Sequence, residues 1–195
     1  MKKTIAMMAL LVLAIAIPAA AEEGGPDMAA MEGAWMKAAT PGEWHEFLAE
    51  TVGKWTHVSR VWMQPGGEPM VSEGKSEARM ILGGRFLHET FEGVSMGQPM
   101  EGLGITGYDN TTGIMTSTWY DDMGTTTHVL VGKPGKPGDP LEMKGSMVDP
   151  MSGMEMQIRT VTTMNGPDEK VFEYFMSMGE MPEMKAMVIT YTRVK

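Results

Sequence analysis

Apolar residues recur at helical spacing once along this chain and at strand spacing many times. Trp44, Phe47, Leu48 and Val52 form one stripe, with Glu46 and Glu50 on the opposite side. Thr40, Pro41 and Glu43 ahead of that stripe read as N-cap, first helical residue and the far member of a T-x-x-E capping box. The spacing predicts a helix over 40–52 that ends near Gly53. From Lys54 onward the pattern changes to short runs divided by turn residues. The breaks fall at 65–67, 83–84, 96–99, 110–113, 121–124, 133–140, 149–153, 165–168 and 179–182. Each carries Gly, Pro, Asn or Asp where the chain needs a positive or fixed φ. The breaks separate ten predicted strands, and their shortness favours antiparallel hairpins over crossovers.

The alternation along these strands is partial. Phe172, Tyr174, Met176 and Met178 share a face, as do Met187, Ile189, Tyr191 and Arg193. Met154, Met156 and Ile158 oppose Glu155, Gln157 and Arg159. Residues 125–130 have no clean apolar side. A barrel with a partly polar interior blurs the pattern in this way, because neither strand face is uniformly dry. The expected fold is therefore all-β: an antiparallel up-and-down barrel of 8–10 strands with a short N-terminal helix packed at one end. A two-sheet sandwich is the competing arrangement. Residues 40–195 would form this single domain, and 22–39 a flexible segment or loose helix ahead of it.

The first residues change the picture of where the protein works. Lys2 and Lys3 precede an apolar run over 5–17, and Ala19, Ala20 and Ala21 supply a small-residue cleavage site. Residues 1–21 read as a signal peptide cleaved after Ala21, too short in its apolar part for a comfortable membrane span. The expected location is the periplasm or the exterior, without stable membrane insertion. The chain carries 25 acidic against 16 basic residues, a formal charge of −9, which argues against nucleic-acid partners. It has no cysteine, so disulfides, thiol catalysis and thiolate metal sites are excluded.

An ordered set of short motifs then carries a resemblance. His45-x-x-Leu48, Gly53-x-Trp55, Ile81-Leu82-Gly83-Gly84-Arg85-Phe86-Leu87 and Glu101-Gly102 come first. Gly107-Tyr108-Asp109-Asn110, Ser117-Thr118-Trp119-x-Asp121 and Ile189-Thr190-Tyr191-Thr192-Arg193 complete it. Together they resemble the bacterial family catalogued as domain of unknown function 1579. The resemblance implies a calycin-type, lipocalin-like barrel, in which a Gly-x-Trp on the first strand is answered by an Arg on the last. It implies no activity.

Candidate chemistry is sparse. Trp55 and Arg193 read either as ligand contacts at the cavity floor or as a cation–π lid. His57 shares strand parity with Trp55 and should point inward; His88 and His128 fall mid-strand, and His45 lies on the helix. No spacing pairs the histidines for a metal, and no nucleophile motif or phosphate loop is present. Asp109, Asp121, Asp122 and Asp149 stand where turns want Asp. Tyr108, Trp119 and Tyr120 could line a pocket or fill a core. The 24 methionines are far above ordinary usage. They can line an adaptable apolar wall, buffer oxidation or bind Cu(I) through thioethers, with 179–184 the best placed for copper.

The residues expected to meet a ligand are Trp55, His57, His88, Tyr108, Trp119, His128 and Arg193. The reading they support is non-catalytic binding of a small hydrophobic or amphipathic ligand inside the barrel, with no cofactor. A copper-handling protein and an enzyme with an unmarked pocket site are the alternatives.

Overall fold

The computed structural model describes residues 27–195, so the signal-peptide expectation lies outside the described residues. Two helices, α1 (Met28–Ala39) and α2 (Glu43–Glu50), lead into β1 (Gly53–Val61), β2 (Met70–Ile81), β3 (Phe86–Ser95), β4 (Gln98–Asp109) and β5 (Ile114–Asp121). β6 (His128–Gly132), β7 (Leu141–Val148), β8 (Glu155–Met164), β9 (Glu169–Met178) and β10 (Met184–Arg193) follow. Each strand pairs antiparallel with the next, and β10 pairs with β1 from Trp55↔Arg193 to Val61↔Met187, closing the ring. The sandwich is excluded, and each break read from sequence separates two strands, although β4 takes in Gln98 and Pro99 and β5 takes in Asp121 from the expected breaks.

Several details differ from the sequence expectation. The capping residue of α2 is Gly42, not Thr40, and the box is closed by His45: its Nδ1 accepts the Gly42 N–H at 3.0 Å. Pro41 therefore precedes the helix instead of opening it. His45 is buried on the inner side of α2, beside Tyr108, where its ring makes that hydrogen bond to Gly42. Residues 125–127 are not strand at all, which is why their pattern has no apolar side; β6 begins at His128 and is the shortest strand. It meets β7 at a single registered pair, Val131↔Lys144. A bulge between Lys185 and Met187 interrupts β10, and Met187, Ile189 and Tyr191 still share one face beyond it.

The two ends of the barrel are built differently. At one end α2 lays Trp44, Phe47 and Leu48 against β2–β4, packing on Ala78, Leu87, Met115 and Met143. The Trp55 indole, fully buried, donates to the Thr51 carbonyl at 2.9 Å. Arg193 stacks over Trp55 at 4.1 Å and donates to the carbonyls of Glu50, Val52 and Pro167. Those carbonyls at the C-terminal end of α2 have no partner within the helix, so the guanidinium satisfies them and pins α2 to the barrel. α1 is attached through Asn110, whose side-chain amide donates to carbonyls of Lys37, Ala38 and Thr40. At the opposite end the hairpin turns at 62–69, 96–97, 122–127, 149–154 and 179–183 surround the mouth.

Arg193→Ala should cost about 3 kcal/mol in urea unfolding, because several charge-assisted bonds and the stack are lost together. Arg193→Lys should recover only part of it, since an ammonium cannot fork across three carbonyls and stack at once.

Candidate functional site

A cavity of about 350 Å³ occupies the barrel interior between α2 and the mouth. Strand alternation places every second side chain inside. Leu87, Phe91, Leu130, Ile158, Phe172 and Ile189 are part of a wall that is mainly aliphatic and aromatic. Phe47, Leu48 and Thr51 close it at the helix end, while Val61, Val94, Asp121 and His128 lie toward the mouth.

Polar side chains interrupt the wall at several levels, among them Ser59, Thr106, Ser117, Asp121 and Thr162. The most buried is a strut across the lumen. Lys170, 5% exposed, reaches from β9 to Glu89 on β3 with Nζ 3.0 Å from Oε1. The same oxygen accepts from the Ser76 hydroxyl at 2.8 Å. On its way the ammonium passes the rings of Tyr191 at 4.2 Å and Trp55 at 5.3 Å. A lysine this deep is tolerable because it is paired and lies against aromatic faces. Both Lys170 and Glu89 line the cavity, so its inner end presents two charges that cancel. Tyr174, also on the wall, has its hydroxyl pushed up to about 12 by burial and stays a neutral donor.

His57 occupies a second polar position, one layer behind the wall. It points inward as its parity with Trp55 requires and stacks on Phe91 at 4.1 Å. Its ring fits because β2 carries Gly74 opposite: a Cβ there would lie 2.5 Å from the imidazole. Nε2 lies 3.2 Å from the Glu92 carbonyl, which can only accept, so Nε2 carries the proton. Nδ1 is left to accept from the Ser59 hydroxyl at 3.4 Å, a long contact. Burial holds the imidazole below its ordinary 6.5; the Glu92 carbonyl and the Glu89 charge pull the other way.

The residues expected at a ligand separate into groups. Trp119 and His128 line the cavity as neighbours in register on β5 and β6. The Trp119 indole lies over Gly102, where a Cβ would be 2.2 Å away, and donates to Asp121 at 2.9 Å. Trp55 and Arg193 do not line it: they form the lid at the closed end, and the cation–π alternative holds. Tyr108 packs under α2 against Trp44 and also lies off the wall. His88 faces outward, since Leu87 and Glu89 on either side face in. Sequence reasoning missed Lys170 and Glu89. The available signal was that Lys170 shares parity with Phe172 and Tyr174, and Glu89 with Leu87 and Phe91.

The turn carboxylates are used locally. Asp109 accepts from Thr111 and Thr112, Asp149 from Ser152, Asp121 from Met123 and Asp122 from Glu101. These bonds hold Asp109 and Asp149 below the usual carboxylate range. Among the described residues no histidine bonds a carboxylate, and no three of His, Cys, Asp and Glu converge as a metal site would need.

The chain belongs to the family described as protein of unknown function DUF1579, which matches residues 40–193. No curated protein matches it in sequence. Among solved structures it is similar to Rv2717c from M. tuberculosis, at 18% identity and TM-score 0.60, covering 80% of this chain and 100% of that one. It is also similar to the S-type phycobiliprotein lyase CPES from Guillardia theta, at 8% identity and TM-score 0.50, covering 83% and 97%. At these identities the likeness is one of fold: a closed, lipocalin-like antiparallel barrel.

Two outcomes follow from the polar groups. Lys170→Met should destabilise by about 3–5 kcal/mol, because Glu89 is left buried without its partner, and Lys170→Met with Glu89→Leu should restore most of the loss. Chemical denaturation of the three proteins checks this; a double variant as weak as the single one would refute it. His57 has a folded pKa below its unfolded value, so its contribution is complete above pH 6.5 and is lost as pH falls below it. Stability should therefore decline from pH 7 toward pH 5 by at most about 1.4 kcal/mol per unit, and His57→Phe should remove that part of the slope. The depressed Asp109, Asp149 and Glu183 act in a lower window.

Proposed function

We propose that this protein is a non-catalytic binder of a small, largely apolar molecule with an uncharged polar head, held inside the barrel. The observation that carries the reading is the cavity of about 350 Å³ with a mutually neutralised ion pair, Lys170 and Glu89, at its inner end. Its size falls at the small end of the roughly 300–1,000 Å³ typical of ligand pockets, and its mainly apolar wall interrupted by polar groups has the usual composition. The apolar body would lie against Phe91, Phe172, Ile189 and Trp119. The head would exchange hydrogen bonds with Lys170, Glu89 or Tyr174. A full charge on that head would face its own like partner within the strut and lose its hydration without net compensation. The leader read over 1–21 supports work in the periplasm or outside the cell.

The catalytic alternative finds no support in the pairing of groups. Ser59 and His57 are the nearest approach to a nucleophile and base, and their contact is long and anchored to a backbone carbonyl rather than an acid.

Binding can be read from the fluorescence of N-phenyl-1-naphthylamine, a neutral apolar probe. The probe should brighten on binding and be displaced by decanol more effectively than by decanoate or decylammonium. Gly104→Leu should abolish the signal, because Gly104 is on the wall and a Cβ there meets nothing nearer than 3.5 Å, leaving the added carbons to fill the cavity. Probe binding that survives this substitution in a folded protein would place the ligand elsewhere, and preference for a charged head would overturn the neutral-head assignment.

A further inference from the structure

We infer that Met147, Met156 and Met178 form a thioether site for a soft monovalent cation, Cu(I) or Ag(I), at the rim of the barrel mouth. The three residues stand abreast on consecutive strands. Met147 pairs in register with Met156, and Met156 pairs with Met178. Directly paired residues on neighbouring antiparallel strands project from the same face, with Cβ atoms about 4.5–5.5 Å apart. Methionine has three rotatable bonds, so neighbouring sulfurs at this spacing can share one ion without backbone movement. The face is the inner one, since these residues continue the alternation of Met143, Ile158 and Tyr174 toward the mouth. None of the three belongs to the cavity wall, and all are partly buried: they lie above the cavity.

Two contacts bring a further sulfur and fix an orientation. The Ser152 hydroxyl lies 3.7 Å from the Met178 sulfur, so that sulfur is turned toward the β7–β8 turn. Met154, on that turn, has its methyl 3.6 Å from where a Cβ on Gly179 would stand, immediately beyond Met178. Met154 is thus in reach as a fourth ligand.

Chemistry and charge agree with the geometry. Thioethers select Cu(I) over harder divalent ions. The chain has no cysteine to compete, and among the described residues no cluster of His, Asp and Glu offers a harder site. Beside the ladder stand Asp149 and Glu180 on the turns and Glu155 at the start of β8, with no lysine or arginine between 149 and 155; Glu183 is already paired with Arg159, so the acidic balance at the rim rests on the other three. The structure also moves the site from where sequence placed it. In the 179–184 segment Met181 is 58% exposed and Met184 pairs with Met176, outside the three-strand ladder. This site is independent of the ligand cavity and stands or falls separately from it.

Methyl NMR of protein labelled at the methionine methyls, titrated with Ag(I), tests the assignment. The resonances of Met147, Met156 and Met178 should move together and saturate at one equivalent, with Met80, Met115 and Met143 unmoved. Under ascorbate, competition with a Cu(I) chelator should give binding tighter than micromolar. Replacing all three residues by leucine, which keeps the apolar volume, should weaken it by at least roughly tenfold, while Met80→Leu with Met143→Leu should not. Should the triple variant fail to fold, Met156→Leu alone must still lower affinity and abolish the concerted shift. Binding no tighter than micromolar, shifts spread over the exposed methionines, or affinity unchanged by the leucine variants would each overturn the site.

Discussion

Closure of the strand ring is the constraint from which the rest follows. Because β1 pairs with both β2 and β10, no strand edge is left and ten strands enclose a fixed lumen. Every second residue must then find a place inside, whatever its chemistry. Bulky side chains need glycines on the neighbouring strand, as His57 needs Gly74 and Trp119 needs Gly102. Charged ones need a partner across the lumen, as Lys170 needs Glu89. Volume that is neither filled nor paired remains as the cavity. The site is in this sense what the core leaves over, shaped by the same packing rules.

The barrel divides its labour by depth. At the closed end, α2, Trp55 and Arg193 combine burial, stacking and carbonyl capping. The middle holds the cavity, with Lys170 and Glu89 tied to one another. The mouth is where methionines gather. Thioethers are apolar enough to sit on an inward strand face and soft enough to meet a metal, so one residue type can finish the wall and change its chemistry there. The floor, with its buried indole and capped carbonyls, serves stability, and the open volume lies in the middle and toward the mouth.

Much of the fold was legible because strand breaks are written locally. Gly and Pro mark each turn by backbone geometry alone, and a turn separates each pair of successive strands at those marks, with only Pro99 drawn into a strand. The helix boundary was misjudged because two capping solutions compete within three residues, and the imidazole of His45 supplied the acceptor expected from Glu43. The site was harder to read. Parity places His57 and Trp119 inward, but it does not say how deep a residue lies or which strand faces it across the lumen. The Lys170–Glu89 pair joins residues 81 positions apart, and no local pattern announces it. His88 was misplaced because a mid-strand histidine carries no sign of its face until its neighbours are assigned.

The short β6, with a single registered pair joining it to β7, has a consequence for how the interior communicates with solvent. A ring of strands is only as tight as its weakest ladder, and local opening runs through the segment with the fewest cooperative hydrogen bonds. His128 and Leu130 of β6 form part of the cavity wall. Fraying of this one strand would therefore uncover the lumen from the side while the remaining ladders stay intact. The barrel need not unfold, nor the floor lift, for its contents to exchange. Such an opening would make the wall itself the door, with the residence time of a bound molecule set by a local equilibrium instead of the global one.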